Sequence, residues 1–275
     1  MEEQLAIIAG VRAQCATDDR VTAAWMYGSF AIGEADQYSD VEFLIYVRDE
    51  ALPNFDPPAW LAQVSPVALY LRNEYGVGTA LFANTVRGEF HFEPHSTMDS
   101  LVAFGQQAGF PPIEQMLIVD KTGALEPLLA QISGPGPERA TRSESQRLVE
   151  CSQNWLLMGL NVLARGERVR ALELLGTVHR YLLQMARQAE CSLRHYATPA
   201  RRAEQELSAD ALARFAGCTA SLRGDELERA YASVWRWMSE MDVTLAERYG
   251  LFLPKALLVS IERRFASILS RGSVC

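Results

Sequence analysis

The stretch VTAAWMYGSFAIGEADQYSDVEFLIYV (21–47) decides how this chain is read. Its first seven residues, Val21 to Tyr27, are rich in β-branched and aromatic side chains, and its last seven, Val41 to Val47, alternate and then turn continuously apolar. Both runs read as strands. Between them stand Gly28-Ser29, ten further residues, and then Asp40-Val41-Glu42. Two residues apart on a strand, Asp40 and Glu42 project from one face with Cα atoms about 6.6 Å apart. Two unpaired acids at the start of a buried strand repel each other and resist desolvation. A divalent cation relieves both costs, and Mg²⁺ is commonly held by one or two carboxylates together with substrate phosphates.

Gly28 and Ser29 supply a complementary half. A glycine at a strand end lets backbone approach a ligand closely, and serine adds a hydroxyl beside exposed N–H groups, a combination suited to a triphosphate. A D-x-E pair alone fits a solvated hairpin edge, and Gly-Ser alone fits a plain turn. Set at this spacing between two strands, they point to a phosphate loop facing a metal site.

Composition bounds the possibilities. The chain has 275 residues, 49% hydrophobic and 22% charged, which is ordinary for a globular protein with a sizeable core. MEEQLAIIAGVRAQ has neither a basic start nor a long apolar stretch, and no run reaches the length of a membrane span, so a cytoplasmic location is expected. Cys15, Cys151, Cys191, Cys218 and Cys275 form no C-x-x-C pair, and His91, His95, His179 and His195 show no ligand spacing. Zinc, a disulfide framework and imidazole metal sites are therefore not expected. A net charge of −8 disfavours a polyanion and suits a small, cationic acceptor. No nucleic-acid or membrane partner is expected.

Along the chain, Leu5, Ile8 and Val11 recur at helical spacing over 2–16. A short helix around 59–64 follows Pro57-Pro58, and VALYLRNE (67–74) and TALFAN (79–84) form a hairpin across Gly76 and Gly78. RGEFHFE (87–93) alternates, with Arg87, Glu89, His91 and Glu93 on one face and Phe90 and Phe92 on the other. Ser96 and Asp99 fit a capping box before a helix to about 107, MLIVD (116–120) a last strand, and 124–131 a helix. The clearest boundary is SGPGP (133–137). Beyond it strand signals vanish, and helices are expected over 143–164, 167–190, 200–216, 225–248 and 255–270. The fold class is α+β: a catalytic domain over 1–134 with a mixed β-sheet flanked by helices, then an all-α helical bundle over 135–275.

Sites of this kind often use a third carboxylate, as ligand or as acceptor of the attacking hydroxyl's proton. Glu89 is the first candidate, because apolar neighbours on its strand would raise its pKa. Glu93 is second, near the strand's end before Pro94. An ion pair with Arg87 is the competing reading of Glu89. P-loop, dinucleotide-fold and kinase signatures are absent from the sequence.

The segment MYGSFAIGEADQYSDVEFLIY (26–46) resembles the active-site motif of the DNA-polymerase-β-like nucleotidyltransferases. More closely, with RGEFHF (87–92) and NWLLMGLNVLARGE (154–167), it resembles the larger, two-domain lincosamide nucleotidyltransferases. The resemblance implies transfer of a nucleoside monophosphate from an NTP such as ATP to a hydroxyl of lincomycin or clindamycin. It implies Mg²⁺, two ions in the usual scheme, release of pyrophosphate, and a homodimer whose helical domain helps enclose the drug. Carried over by position, Asp40 and Glu42 match the metal-binding acids, Gly28 and Ser29 the phosphate loop, and Glu89 the third acid, base and further metal ligand. Many relatives have Asp where Glu42 stands.

Two other functions fit the same residues. One is an aminoglycoside nucleotidyltransferase, which needs the same metal site. The other is an inactive or antitoxin-like nucleotidyltransferase fold, whose signature would be a missing acid, and here all three are present. Trp155, Tyr181, Trp235 and Trp237 in the helical half suit core packing more than stacking on a base or drug.

Overall fold

A computed structural model describes residues 1–105 and 107–272, with the side chains of Phe104 and of residues 267–272 left aside. It divides into two compact units, Met1–Pro137 and Glu138–Cys275.

In the first unit the described residues form six strands: β1 (Val21–Tyr27), β2 (Val41–Val47), β3 (Val67–Arg72), β4 (Gly78–Phe82), β5 (Arg87–Pro94) and β6 (Leu117–Asp120). They lie in one sheet in the order β3-β4-β5-β2-β1-β6. Only the β2–β5 pair is parallel, so the sheet is mixed as expected. β1 and β2 are buried nearly end to end, and their apolar side chains divide between two cores. On one face Phe43, Ile45, Phe90 and Trp60 pack with the helix Glu2–Thr17. On the other, Trp25, Leu44 and Tyr46 pack with Met98, Leu101, Met116, Leu125 and Leu129.

Two local expectations in this unit need correction. The buried stripe of the leading helix is Gln4, Ile7, Val11 and Cys15, whereas Leu5 is half exposed. That helix carries apolar residues on two faces, and the buried one is marked by Gln4, whose amide donates to the Gln37 carbonyl at 2.8 Å. After β5 the chain forms a 3₁₀ segment, His95–Leu101, and then one α turn, Val102–Gly105, in place of a capped helix. The Ser96 N–H donates instead to Asp49 Oδ1 at 3.0 Å, which takes the group a capping box would have used.

The second unit is helical, with long helices at Arg142–Ala164, Arg168–Ala189, Glu226–Tyr249 and Lys255–Gly272. Gly166, at φ +81°, breaks the first from the second. The expected helix near 200–216 is instead two pieces, Ala203–Glu206 and Ala209–Gly217, separated by an extended Leu207 and capped afresh by Ser208, whose hydroxyl accepts from the Ala211 N–H at 3.1 Å. Gly159 lets the first and third long helices approach closely: a Cβ there would lie 2.3 Å from the hydroxyl of Tyr231. That hydroxyl donates to the Ala171 carbonyl at 2.7 Å and so ties in the second helix. Trp237 is in this core, and Trp155, Tyr181 and Trp235 pack against it half-buried. Cys15, Cys151, Cys191 and Cys218 are free thiols, and Cys275 lies outside the described residues. Among the described residues no helix is long and apolar enough to cross a membrane.

Candidate active site

The register of the central strands brings the motif residues together. Glu42 on β2 is paired directly with Tyr27 on β1 and with Glu89 on β5. Directly paired residues point to the same side of a sheet, so Tyr27, Glu42 and Glu89 form a row across three strands. Asp40 sits just before β2, half-buried like Glu42 and Glu89.

Gly28 completes the row's end. Its φ of +72° is left-handed, and a Cβ built on it would lie 1.4 Å from Oε2 of Glu42. The Glu42 carboxylate therefore occupies the volume a side chain at residue 28 would fill. A residue later, Ser29 is buried in a single helical turn, Gly28–Ala31, and its hydroxyl is without a hydrogen-bond partner in the described structure. A buried, unspent hydroxyl beside a carboxylate suits an incoming anionic oxygen, because leaving it unpaired is costly.

Arg87 holds the acids in this arrangement. One guanidinium nitrogen donates to Asp40 Oδ2 at 2.5 Å and the other to Glu89 Oε1. Those carboxylates keep the arginine's pKa above its usual value, Glu89 contributing most. Glu89 thus faces a guanidinium rather than the apolar surround expected for a base. The alternation in RGEFHFE had already placed Arg87 on the same face, which was the available signal.

Two more side chains border the row. Burial pushes the Tyr27 phenol well above its ordinary pKa, and the charges of Glu42, Glu89 and Asp40 push it further. All three carboxylates therefore act on one hydroxyl. His91 packs its ring 6.1 Å from that of Tyr27, and burial lowers its pKa against the opposing pull of Glu93 and Glu89. Glu93 itself pairs with Tyr46, four residues along the strand from Glu89, or about 13 Å.

Among the described residues, no group of three or more His, Cys, Asp and Glu side chains is drawn together tightly enough to form a ligand set. The donor chemistry still fits a hard divalent cation. Asp40, Glu42 and Glu89 offer only carboxylate oxygens, and a cationic group already bridges two of them.

One protein family matches part of the chain. Residues 141–264 match the lincosamide nucleotidyltransferase-like, C-terminal domain. Over those residues, somewhat under half of the chain, it is similar to that domain. No curated protein matches it. Among solved structures, an aminoglycoside 6-adenyltransferase from Bacillus subtilis aligns over 97% of both chains at 14% identity and a TM-score of 0.45. A nucleotidyltransferase-like protein from Exiguobacterium sibiricum 255-15 aligns over 90% of this chain and 78% of its own, at 13% identity and a TM-score of 0.38. The nucleotidyltransferase signal reaches this sequence through its helical half, while its candidate chemical residues lie in the sheet.

Proposed function

We propose that this protein is a nucleotidyltransferase that moves a nucleoside monophosphate from an NTP to a hydroxyl of a lincosamide antibiotic such as clindamycin. The observation that carries the chemistry is the seating of the Glu42 carboxylate against Gly28, beside the unspent Ser29 hydroxyl. It supports reading the acid and the Gly28-Ser29 turn as parts of one site. The lincosamide acceptor is supported by the family matched over residues 141–264.

Asp40 and Glu42 would hold Mg²⁺, with Glu89 as a third ligand. When bound, Mg²⁺ neutralises the triphosphate and the charge that develops on the departing pyrophosphate. The chain's own residues do the rest. Gly28 leaves room for the Glu42 carboxylate beside the turn, and Ser29 Oγ–H donates to a phosphate oxygen. Glu89 accepts the proton of the acceptor hydroxyl as its oxygen bonds to the α-phosphorus. The bond from that phosphorus to the bridging oxygen breaks, and pyrophosphate leaves. Once Arg87 no longer bridges Asp40 and Glu89, its guanidinium is at hand for phosphate charge. The enzyme works in this reading as a cytoplasmic homodimer.

The net charge of −8 equally suits a polycationic acceptor, which keeps an aminoglycoside as the second reading. Mass spectrometry of clindamycin, lincomycin and an aminoglycoside, each incubated with the four NTPs and Mg²⁺, separates them. The expected result is clindamycin heavier by one nucleoside monophosphate, with equimolar pyrophosphate. Gain of a single phosphate would overturn the reaction. Modification of the aminoglycoside alone would overturn only the acceptor.

A further inference from the structure

The helical unit contains a cavity of about 610 Å³ that the acid row does not use. It is lined from the helix Glu226–Tyr249, from Leu253 and from the helix Lys255–Gly272. Its walls are mainly apolar, with Trp235 stacked on Phe265 at 5.8 Å between ring centroids and 23° between planes. That volume and lining are those of small-molecule sites, which add a few convergent polar groups to an apolar shell.

Here the polar groups are Asp242 and Ser239. Asp242 is 1% exposed. Its Oδ2 accepts a hydrogen bond from Gln153 Nε2 at 3.0 Å, but its buried Oδ1 is without a partner among the described residues. Ser239, three residues earlier and hence on the same helix face, has a buried hydroxyl that is likewise unpartnered. A carboxylate can accept about four hydrogen bonds. An ionised one is costly to bury unless paired. Burial pushes the Asp242 carboxyl up to about 7, against a smaller opposing effect of Gln153, so a nearby positive charge would stabilise its ionised form. The other charged side chains lining the cavity are Arg236, Glu240 and Glu262, and Glu240 is already engaged by Arg214.

We infer that this cavity binds a small organic cation, an ammonium group bearing an aromatic or branched apolar body. The ammonium N–H donates to Asp242 Oδ1, and the apolar body lies against Trp235 and Phe265, where the indole face also attracts positive charge. Every residue involved belongs to the helical unit, and none is among the residues assigned to the reaction.

Isothermal titration of the full chain with N,N-dimethylbenzylammonium tests it, with N,N-dimethylbenzamide as the uncharged probe of similar shape. The expected result is saturable binding of the ammonium, weakened at least about tenfold by Asp242→Asn, with the amide binding both proteins equally weakly. Val259→Trp, at the cavity's half-exposed edge, fills the space without removing the carboxylate, so it too must abolish binding. It decides the matter if Asp242→Asn proves unfolded by circular dichroism. Failure of the wild type to bind at millimolar probe, undiminished binding in folded Asp242→Asn, or amide binding as tight as the ammonium would each overturn the inference. So would light scattering showing a dimer that Val259→Trp dissociates, since a second copy of the chain would then fill the cavity.

Discussion

The carboxylate of Glu42 lies in the space that a side chain on residue 28 would require. Glycine at 28 is therefore a condition for where the acid sits, as well as a source of turn geometry. Replacing Gly28 with alanine confronts a left-handed φ costing roughly 1–2 kcal/mol and a methyl group that must push the carboxylate aside. The flexible Glu42 side chain can yield, so the fold should survive. Activity should fall at least about a hundredfold, because reacting groups displaced by an ångström lose that much. Steady-state kinetics beside a melting curve check it, and a folded Gly28→Ala enzyme with near-normal turnover would remove Glu42 from the site.

Arg87 predicts a separable effect. It bridges Asp40 and Glu89 as their counter-charge. Arg87→Met should leave the two carboxylates to repel each other, lowering Tm in the presence of EDTA. Added Mg²⁺ should then raise Tm by more than it does in the wild type, since a metal no longer competes with a guanidinium. Differential scanning fluorimetry with and without Mg²⁺ measures both, and an unchanged Mg²⁺ response would mean that the acids do not hold the ion.

Glu89 and Glu93 can be told apart by position. Glu89 stands in register with Glu42, and Glu93 with Tyr46. Glu89→Gln keeps the shape and removes the proton acceptor, so kcat should fall by roughly 10²–10⁴. Glu93→Gln should stay within a few-fold of wild type. Equal losses of NTP affinity and kcat in Glu89→Gln would favour a ligand role over that of base.

Asp242 gives a pH dependence of stability. Its folded pKa of about 7 lies above the ordinary value of 3.8, because burial disfavours the charge. A group raised in this way contributes stability that is fully present below pH 3.8 and is lost as pH rises through about 7. Asp242→Asn should therefore be about as stable as the wild type near pH 3.8 and more stable than it at pH 8, by an amount on the order of a few kcal/mol at most. Urea unfolding of both proteins across that range is the measurement. A constant difference would show that Asp242 does not titrate there.

Much of this was legible from residues 21–47. Fully buried strands advertise themselves by continuous apolar runs, and the acid pair was conspicuous because it interrupted one. What escaped depended on partners far along the chain. The leading helix has apolar side chains on two faces, and only Gln4 reaching Gln37 shows which of them is inside. The Ser96 capping signal failed because Asp49, remote in sequence, had taken its N–H. Arg87 could be placed on the right face by alternation, yet its bridge to Asp40 required the parallel pairing of β2 with β5. Nothing in the amphipathic pattern of residues 226–249 separates Asp242 from its exposed acidic neighbours, since burial of one helical aspartate depends on Gln153 of another helix.

That parallel pairing has an evolutionary consequence. Glu42 and Glu89 meet because two strands run in phase, and β4 holds β5 from its other side, with Thr79 opposite Glu89. The exposed turn at Glu74 to Gly76 that joins β3 to β4 can lengthen or change composition while the two acids stay opposite one another. Diversity accumulated there would leave the spacing of the acids untouched, whereas a one-residue slip of β5 would send Glu89 to the far side of the sheet.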